Sequence, residues 1–201
     1  MFRDAGAYRE GHFVLSSGKH SPSYLEKFWV LQWPRHTERL CAAIAERARD
    51  LRVATVAGPT TGGIILAHEV ARQLGARAVY AERQEGQESQ ESQEGQRGRS
   101  GRVFRRGFQL DAGERILVVD DIMTTGGSVQ ETIDAARVSG GEVIAAAVLV
   151  DRSGGAVQLG VPLHALWSLD IPTYAAAGCP LCARGLPLTK PGTTPAPAAR
   201  L

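Results

Sequence analysis

The chain has 201 residues, of which 43% are hydrophobic, and this length supports one ordinary domain with a real core and is short for two complete domains. Its formal net charge of +2 is too small to indicate nucleic-acid binding, which usually concentrates Lys and Arg in one patch. Because no segment approaches the roughly 20 apolar residues of a membrane span or forms a signal peptide, we expect a soluble, cytoplasmic protein without membrane or nucleic-acid partners.

Apolar periodicity divides the middle of the chain into alternating helices and strands. From Pro34 to about Leu51, apolar residues at helical spacing predict an amphipathic helix. Strands that read as continuous apolar runs between helices indicate a parallel sheet covered on both faces, so we predict an α/β fold. The predicted strands are residues 53–58, 76–82, 115–121 and 142–152, with helices after the first and third over residues 64–75 and 129–141.

Two segments fall outside this pattern. Residues 84–101 repeat Gln, Glu, Ser and Gly, and they have almost no apolar side chains to offset the entropy of ordering. We expect residues 84–107 to be flexible, either as a lid or as a disordered insertion, because such long loops are uncommon in compact domains. The Pro-, Ala- and Thr-rich end, residues 189–201, predicts a disordered tail after a single domain over residues 1–188.

The stretch ILVVDDIMTTGGS, residues 116–128, carries the most informative chemistry in the sequence. Its turn offers backbone N–H groups, hydroxyls and the N-terminus of the next helix, which together predict a phosphate site. Asp120 and Asp121 end the strand, at the edge where open α/β sheets bind ligands, and their carboxylates suit ribose hydroxyls. The simpler interpretation, a helix cap followed by a glycine turn, explains TTGG alone but not the complete string.

That string resembles the phosphoribosyl pyrophosphate motif of type I phosphoribosyltransferases, and it lacks the lysine of a Walker loop and the GxGxxG pattern. The resemblance implies a central, mostly parallel sheet flanked by helices, a small hood from the N- and C-terminal segments, and a flexible loop. It assigns phosphoribosyl pyrophosphate to Asp120, Asp121, Ile122, Met123, Thr124, Thr125, Gly126, Gly127, Ser128, Thr60, Thr61 and Gly62.

Further segments are similar to the orotate-specific branch of that family. GHFVLSSGKHSPSYLEK resembles its N-terminal motif, which makes Lys19 and His20 candidate orotate ligands. AGPTTGG resembles its pyrophosphate loop, although Gly62 stands where many relatives have a lysine, so backbone N–H groups must do more of the binding. The resemblance also implies that Thr124 and Arg152 bind orotate. The planar guanidinium of Arg152 suits a carboxylate in two-point contact. A surface arginine, or one paired with Asp151, is the alternative for Arg152.

The flexible loop is where the chain departs from the family pattern. In many relatives this loop supplies an arginine, then lysines and a histidine, to the neighbouring subunit. Arg83 stands where the loop begins, and with Asp120 and Asp121 it completes the expected catalytic set. The lysines and the histidine are absent, and the sequence does not choose among the arginines that follow, Arg97, Arg99, Arg102, Arg105 and Arg106.

The resemblance implies the reaction of orotate with phosphoribosyl pyrophosphate to give orotidine 5'-monophosphate and pyrophosphate. It also implies Mg²⁺ as the cofactor, because Mg²⁺ binds phosphate oxygens with few protein ligands, and a homodimer, because the loop acts across subunits. The alternatives are a purine phosphoribosyltransferase and a ligand-sensing regulator with the same fold. No helix-turn-helix pattern or basic arm precedes residue 20, which weighs against the regulator.

The three cysteines do not form a disulfide framework, which suits a reducing compartment. Cys179 and Cys182 have metal-ligand spacing, but the sequence shows no second CxxC or histidine pair near them. A reduced turn and a zinc site completed by another subunit both remain open. Since His12 and His36 are equally ambiguous, the sequence analysis assigns no metal site.

Overall fold

In the computed structural model, residues 1–15, 17–84 and 101–191 are described. They form two compact units, one over Leu31–Leu169 and one that joins Met1–Val30 to the described residues from Asp170 onward. The strands are β1 (Tyr8–Val14), β2 (His20–Leu25), β3 (Thr55–Pro59), β4 (Arg77–Arg83), β5 (Arg102–Phe104), β6 (Arg115–Met123), β7 (Glu142–Asp151) and β8 (Leu163–Ser168). The α-helices are α1 (Phe28–Leu31), α2 (Pro34–Ala48), α3 (Gly62–Leu74), α4 (Gly127–Val138) and α5 (Pro180–Ala183), with 3-10 turns at Arg49–Leu51 and Ala176–Gly178.

The larger unit is built on a six-stranded sheet in the order β5-β4-β3-β6-β7-β8. All neighbouring strands are parallel except β5, which pairs antiparallel with β4 at the edge of the sheet. The predicted α/β fold with a mostly parallel sheet is therefore confirmed. The sequence analysis missed β5 and β8, because β5 has only three residues and β8 is half-buried rather than a continuous apolar run.

Strands β6 and β7 read as apolar runs because nearly all of their residues are buried. Ile116 and Val118 of β6 belong to a core cluster that also contains Ile133 of α4. Helix α3 ends as predicted, at Gly75, whose φ of +67° lies in the left-handed region. Burial of both sheet faces therefore fixes the central strands, and the loops that leave them are held by a rigid core.

The smaller unit contains a β1–β2 hairpin, in which Val14 is paired with His20. Isolated bridges join this hairpin to the C-terminal segment, between Phe13 and Thr189 and between His20 and Tyr174. The unit therefore combines the N- and C-terminal segments, as the resemblance implied for the hood. Hairpin β1–β2 was not predicted, because three of its buried residues in β2 are polar, so the sequence shows no apolar alternation there. They are His20, Ser21 and Ser23.

Several expectations concern segments at the limits of the described residues. Residues 85–100 of the low-complexity insert and residues 192–201 of the tail lie outside them. Within the region of residues 84–107 that was predicted to be flexible, Arg102–Phe104 is a strand. The single domain over residues 1–188 stays a prediction. Of the helices in the described ranges, none has both the length and the apolar character needed to cross a bilayer.

Candidate active site

Three loops leave the same edge of the sheet from adjacent parallel strands. Strand β6 lies between β3 and β7, so the residues after Pro59, Met123 and Asp151 emerge side by side. The Arg152 backbone N–H donates a hydrogen bond of 2.8 Å to the carbonyl oxygen of Met123, which ties two of these loops together. The carboxyl edge therefore brings together the predicted phosphate loop, the predicted pyrophosphate loop and Arg152.

Asp120 and Asp121 are both buried near the end of β6, with 5% and 2% of their surface exposed. Successive strand residues point to opposite faces, so the two carboxylates face different helices. Asp120 Oδ2 accepts a hydrogen bond of 2.7 Å from the Ser128 hydroxyl of α4, and Asp120 Oδ1 accepts one of 2.8 Å from the Asp121 N–H. Asp121 Oδ1 accepts one of 2.7 Å from the Ile122 N–H. These bonds hold the acid pair in fixed positions at the ligand edge.

The turn between β6 and α4 has the form expected for a phosphate loop. Gly126 precedes α4 with a φ of +80°, and a Cβ added there would lie 2.6 Å from Val157 Cγ1, so only glycine fits. Thr124, Thr125 and Gly127 are exposed on the turn. The first N–H groups of α4 have no partners within the helix, and they carry its positive dipole end. The turn can therefore bind a phosphate dianion through backbone donors and hydroxyls.

Met123 differs from the other residues predicted to bind phosphoribosyl pyrophosphate. Its side chain is 1% exposed and packs in the core cluster with Val129 and Ile133 of α4. Ile122 is half-buried, and its N–H is used by the Asp121 carboxylate. These two residues support the loop from beneath, and any contribution they make to a ligand comes from their backbone.

The pyrophosphate loop brings Gly62 directly against the acid pair. A Cβ added at Gly62 would lie 1.8 Å from Asp121 Oδ2 and 3.0 Å from Asp121 Cγ. Gly62 is also buried, as the first residue of α3. The Asp121 carboxylate therefore occupies the space in which any side chain at position 62 would begin. This contact leaves no room for a side chain at position 62 while Asp121 keeps its observed position.

Arg102 is a buried cation beside the pyrophosphate loop. Its side chain is 4% exposed, and its Nη1 donates hydrogen bonds to Thr60 Oγ1 at 3.2 Å and to the Ala81 carbonyl at 3.1 Å. Its Nε lies 3.2 Å from Glu131 Oε2 of α4. Burial lowers the pKa of Arg102, and Glu131 opposes that effect. Because the ordinary pKa of arginine lies far above neutral pH, the guanidinium stays charged there. Arg102 therefore joins the pyrophosphate loop to α4.

We expect Arg102→Met to lower the free energy of unfolding by about 2–3 kcal/mol, because it breaks charge-assisted bonds in a buried place. Urea denaturation followed by circular dichroism measures this change. Arg106→Met is the matched control: Arg106 pairs with Glu82 while mostly exposed, so its loss is expected to change the free energy of unfolding far less than the loss of Arg102. Equal losses in the two variants would contradict the structural role of Arg102.

The Arg152 side chain is half-buried and does not form the pair with Asp151 that the sequence left open. Asp151 Oδ1 instead accepts a hydrogen bond of 2.8 Å from the Ser153 N–H. Among the described residues, the buried Arg152 Nε has no hydrogen-bond partner. Burial lowers the pKa of Arg152, and no carboxylate opposes that effect. A buried guanidinium without an acid partner suits an anionic ligand.

The remaining predicted residues lie elsewhere. Arg83 is exposed at the end of β4, where it is paired across the strands with Arg102. Lys19 is exposed in the β1–β2 turn of the smaller unit, whereas His20 is 6% exposed and its Nδ1 is 2.9 Å from His12 Nε2. Among the loop arginines, Arg105 and Arg106 are exposed, and Arg97 and Arg99 lie outside the described residues.

Comparison with known proteins shows the family of the chain. The family model described as "Phosphoribosyl transferase domain" matches residues 30–159, which span β3 to β7 and all three loops of the carboxyl edge. The chain therefore belongs to the phosphoribosyltransferase family.

The curated relatives specify a branch of that family. The chain is 45% identical over 193 residues to the orotate phosphoribosyltransferase of Caldicellulosiruptor bescii, covering 96% of this chain and 94% of that protein. It is 45% identical over 194 residues to the orotate phosphoribosyltransferase of Caulobacter vibrioides, covering 96% and 93%. Both matches include the N-terminal and C-terminal segments that the family model leaves out.

Solved structures support the same fold. Orotate phosphoribosyltransferase from Aeropyrum pernix matches with a TM-score of 0.65 and 27% identity, over 84% of this chain and 91% of that chain. Adenine phosphoribosyltransferase from Rhodothermus marinus matches with a TM-score of 0.57 and 24% identity, over 73% and 86%. The second match shows the fold alone, because proteins that act on different bases share this architecture.

Proposed function

We propose that the chain is an orotate phosphoribosyltransferase, which transfers ribose 5-phosphate from phosphoribosyl pyrophosphate to orotate. The observation that carries the proposal is the carboxyl edge itself. There, the phosphate loop and the acid pair of β6 lie next to Arg152 at the end of β7, a half-buried cation that has no carboxylate partner among the described residues. The identity of about 45% to orotate phosphoribosyltransferases over nearly the whole chain supports the choice of base.

In the proposed reaction, N1 of orotate forms a bond to C1 of the ribose while the bond from C1 to pyrophosphate breaks. The pyrophosphate leaves with the electron pair, and the proton of N1 passes to the pyrophosphate or to water, so no nucleophilic side chain is needed. The turn at Thr124–Ser128 would bind the 5-phosphate through backbone N–H groups and hydroxyls. Asp120 and Asp121 would accept hydrogen bonds from the ribose hydroxyls and so fix C1 between the base and the leaving group.

The loop after β3 would hold the departing pyrophosphate. Thr60–Gly62 reach the start of α3, whose first N–H groups offer donors to an anion. Arg102 adds a positive charge beneath this loop through its bond to Thr60 Oγ1. Together these groups stabilise negative charge that develops on the leaving oxygens.

The residues present also fit a Mg²⁺ ion, which we propose as the cofactor. Mg²⁺ commonly uses one or two carboxylates together with substrate phosphates, and the edge offers the carboxylates of Asp120 and Asp121. Within the described ranges, no cage of three or more acids surrounds this pair, so most ligands would come from substrate and water. When bound, the ion would neutralise charge on the pyrophosphate.

A substrate panel tests the proposal. Purified protein is mixed with phosphoribosyl pyrophosphate and Mg²⁺, and orotate, uracil, adenine, guanine or hypoxanthine is added separately while the loss of base is followed by absorbance. We expect consumption of orotate alone and formation of orotidine 5'-monophosphate. Consumption of a purine would replace the proposed substrate, and no consumption of any base would favour a ligand-sensing regulator.

The same proposal extends to assembly and location. We infer a homodimer from the family resemblance, which implies that the loop beginning at Arg83 acts across subunits. Arg83 is exposed, as a residue of such a loop must be. Sedimentation of the purified chain tests this directly. Three free cysteines are compatible with a reducing compartment, and we place the activity in the cytoplasm.

A further inference from the structure

Four side chains with metal-binding atoms meet within the smaller unit, and those atoms all lie within 4.8 Å of one another. They are His12, His20, Cys179 and Cys182. His12 Nε2 lies 3.6 Å from Cys179 Sγ and 3.7 Å from Cys182 Sγ. His20 Nδ1 lies 3.3 Å from Cys182 Sγ and 2.9 Å from His12 Nε2. In the part of the chain that the structure describes, no other group of three or more such side chains is this close.

The separations match those around a tetrahedral zinc ion. With bonds of about 2.3 Å to sulfur and about 2.0 Å to nitrogen, tetrahedral geometry places sulfur and nitrogen about 3.5 Å apart and two nitrogens about 3.3 Å apart. The three sulfur–nitrogen distances and the nitrogen–nitrogen distance given above agree with these values to within about 0.4 Å. We propose that His12, His20, Cys179 and Cys182 bind one Zn²⁺ ion in a closed, structural Cys₂His₂ site.

The protonation of His12 supports this arrangement. His12 Nδ1 lies 2.9 Å from the Leu186 carbonyl oxygen, which can only accept a hydrogen bond. Nδ1 therefore carries the proton, and Nε2 directs a lone pair into the cluster. A backbone carbonyl bound to the opposite ring nitrogen is the usual second partner of a zinc-binding histidine, since it fixes the tautomer and the ring orientation.

The two cysteines are also arranged as ligands. Both are free thiols, and they lie at either end of a tight turn in which the Ala183 N–H donates to the Cys179 carbonyl at 3.1 Å. Cys179 is buried, and so are the two histidines. Four ligands from one chain leave no open position, so the site would be structural rather than catalytic.

A zinc ion here would join the two ends of the chain. The histidines of the hairpin lie far from the two cysteines in the sequence, and His12 and Cys182 are 170 positions apart. Small units with little core often need such a cross-link. The ion would reinforce the bridges from Phe13 to Thr189 and from His20 to Tyr174. It also gives His20 a structural role in place of orotate binding. This site is independent of the proposed function.

The first experiment measures metal content in the untagged full chain, expressed in zinc-supplemented medium and purified without chelator. We expect about one zinc per chain by mass spectrometry of the metals. Exchange with Co²⁺ is expected to give thiolate charge-transfer absorption and the intense visible bands of tetrahedral cobalt. A chain that binds neither metal after reduction and reconstitution would overturn the proposal.

Variants test the assignment of ligands. We expect Cys182→Ser to lower zinc affinity at least tenfold and to remove a thiolate band from the cobalt spectrum. Cys41→Ala is the matched control, because Cys41 is a buried free thiol on α2, outside the cluster, and it is expected to keep full zinc content. Full zinc affinity in Cys182→Ser would overturn the assignment.

A measurement on the unmodified chain covers the case in which a ligand variant fails to fold. A strong zinc chelator is expected to lower the melting temperature by several degrees, and Zn²⁺ but not Mg²⁺ is expected to restore it. An unchanged melting temperature after complete removal of zinc would contradict a structural site.

Discussion

Gly62→Ala is expected to lower kcat/KM for phosphoribosyl pyrophosphate by about 100-fold or more, although it adds one methyl group and changes no charge. The added Cβ would lie 1.8 Å from Asp121 Oδ2, so the carboxylate must leave its observed position. Displacement of a positioning group by about 1 Å can reduce a rate 100-fold. Steady-state kinetics with both substrates measures the effect.

The fold is expected to tolerate this substitution. Gly62 is the first residue of α3, and its φ lies outside the left-handed region, so alanine can adopt the backbone conformation. Alanine also favours a helix more than glycine does. The free energy of unfolding is therefore expected to stay within about 1 kcal/mol of the parent. Gly178→Ala, at a position with open space around it, provides the control for a neutral glycine substitution.

A double-mutant cycle identifies the cause of the loss. Asp121→Ala removes the carboxylate, and the Asp121 Cβ lies 3.6 Å from the added Cβ, which is ordinary contact. Gly62→Ala is therefore expected to have little further effect on kcat/KM in the Asp121→Ala background. Additive losses, or parent-like activity in Gly62→Ala, would contradict the proposed contact between these two positions.

The same contact shows how far the sequence could predict the site. The β6 motif was found because an apolar strand, two acids and a glycine turn are adjacent in the chain. The glycine at position 62 was also visible in the sequence, but its contact with Asp121 was not. Asp121 is distant in sequence and comes close only when β3 pairs with β6. Local patterns therefore named candidate site residues, whereas packing was needed to show which of them lie together.

Arg102 and His12 were harder to identify for the same reason. The sequence offered five arginines after Arg83 and no criterion for choosing among them, whereas the structure buries Arg102 because β5 pairs with β4 beside Thr60. His12 was ambiguous because its neighbours Cys179 and Cys182 are more than 160 residues away. The CxxC spacing was the available signal, and the β1–β2 hairpin supplies the two histidines that it lacked.

Arg152→Ala is expected to lower kcat/KM for orotate by about 10²–10⁴-fold while the KM for phosphoribosyl pyrophosphate changes little. Two charge-assisted bonds of about 1.5–3 kcal/mol each account for that range. The loss is specific to the base because Arg152 follows β7, whereas the phosphate loop follows β6. Initial rates at varied orotate and at varied phosphoribosyl pyrophosphate separate the two effects.

Comparison with uracil makes this prediction specific to the carboxylate, which uracil lacks. In the parent, Arg152 would be left buried without an anionic partner when uracil binds, so orotate is strongly preferred. Arg152→Ala removes that buried charge, and the preference for orotate over uracil is expected to fall by the same factor as kcat/KM for orotate.

Arg152→Lys keeps the charge without the planar fork and is expected to recover only part of the preference. Arg49→Ala, which alters an exposed pair with Glu46, is expected to leave both values unchanged. An equal loss for orotate and uracil would instead assign Arg152 to the phosphoribosyl group, since its contribution would then not depend on the carboxylate.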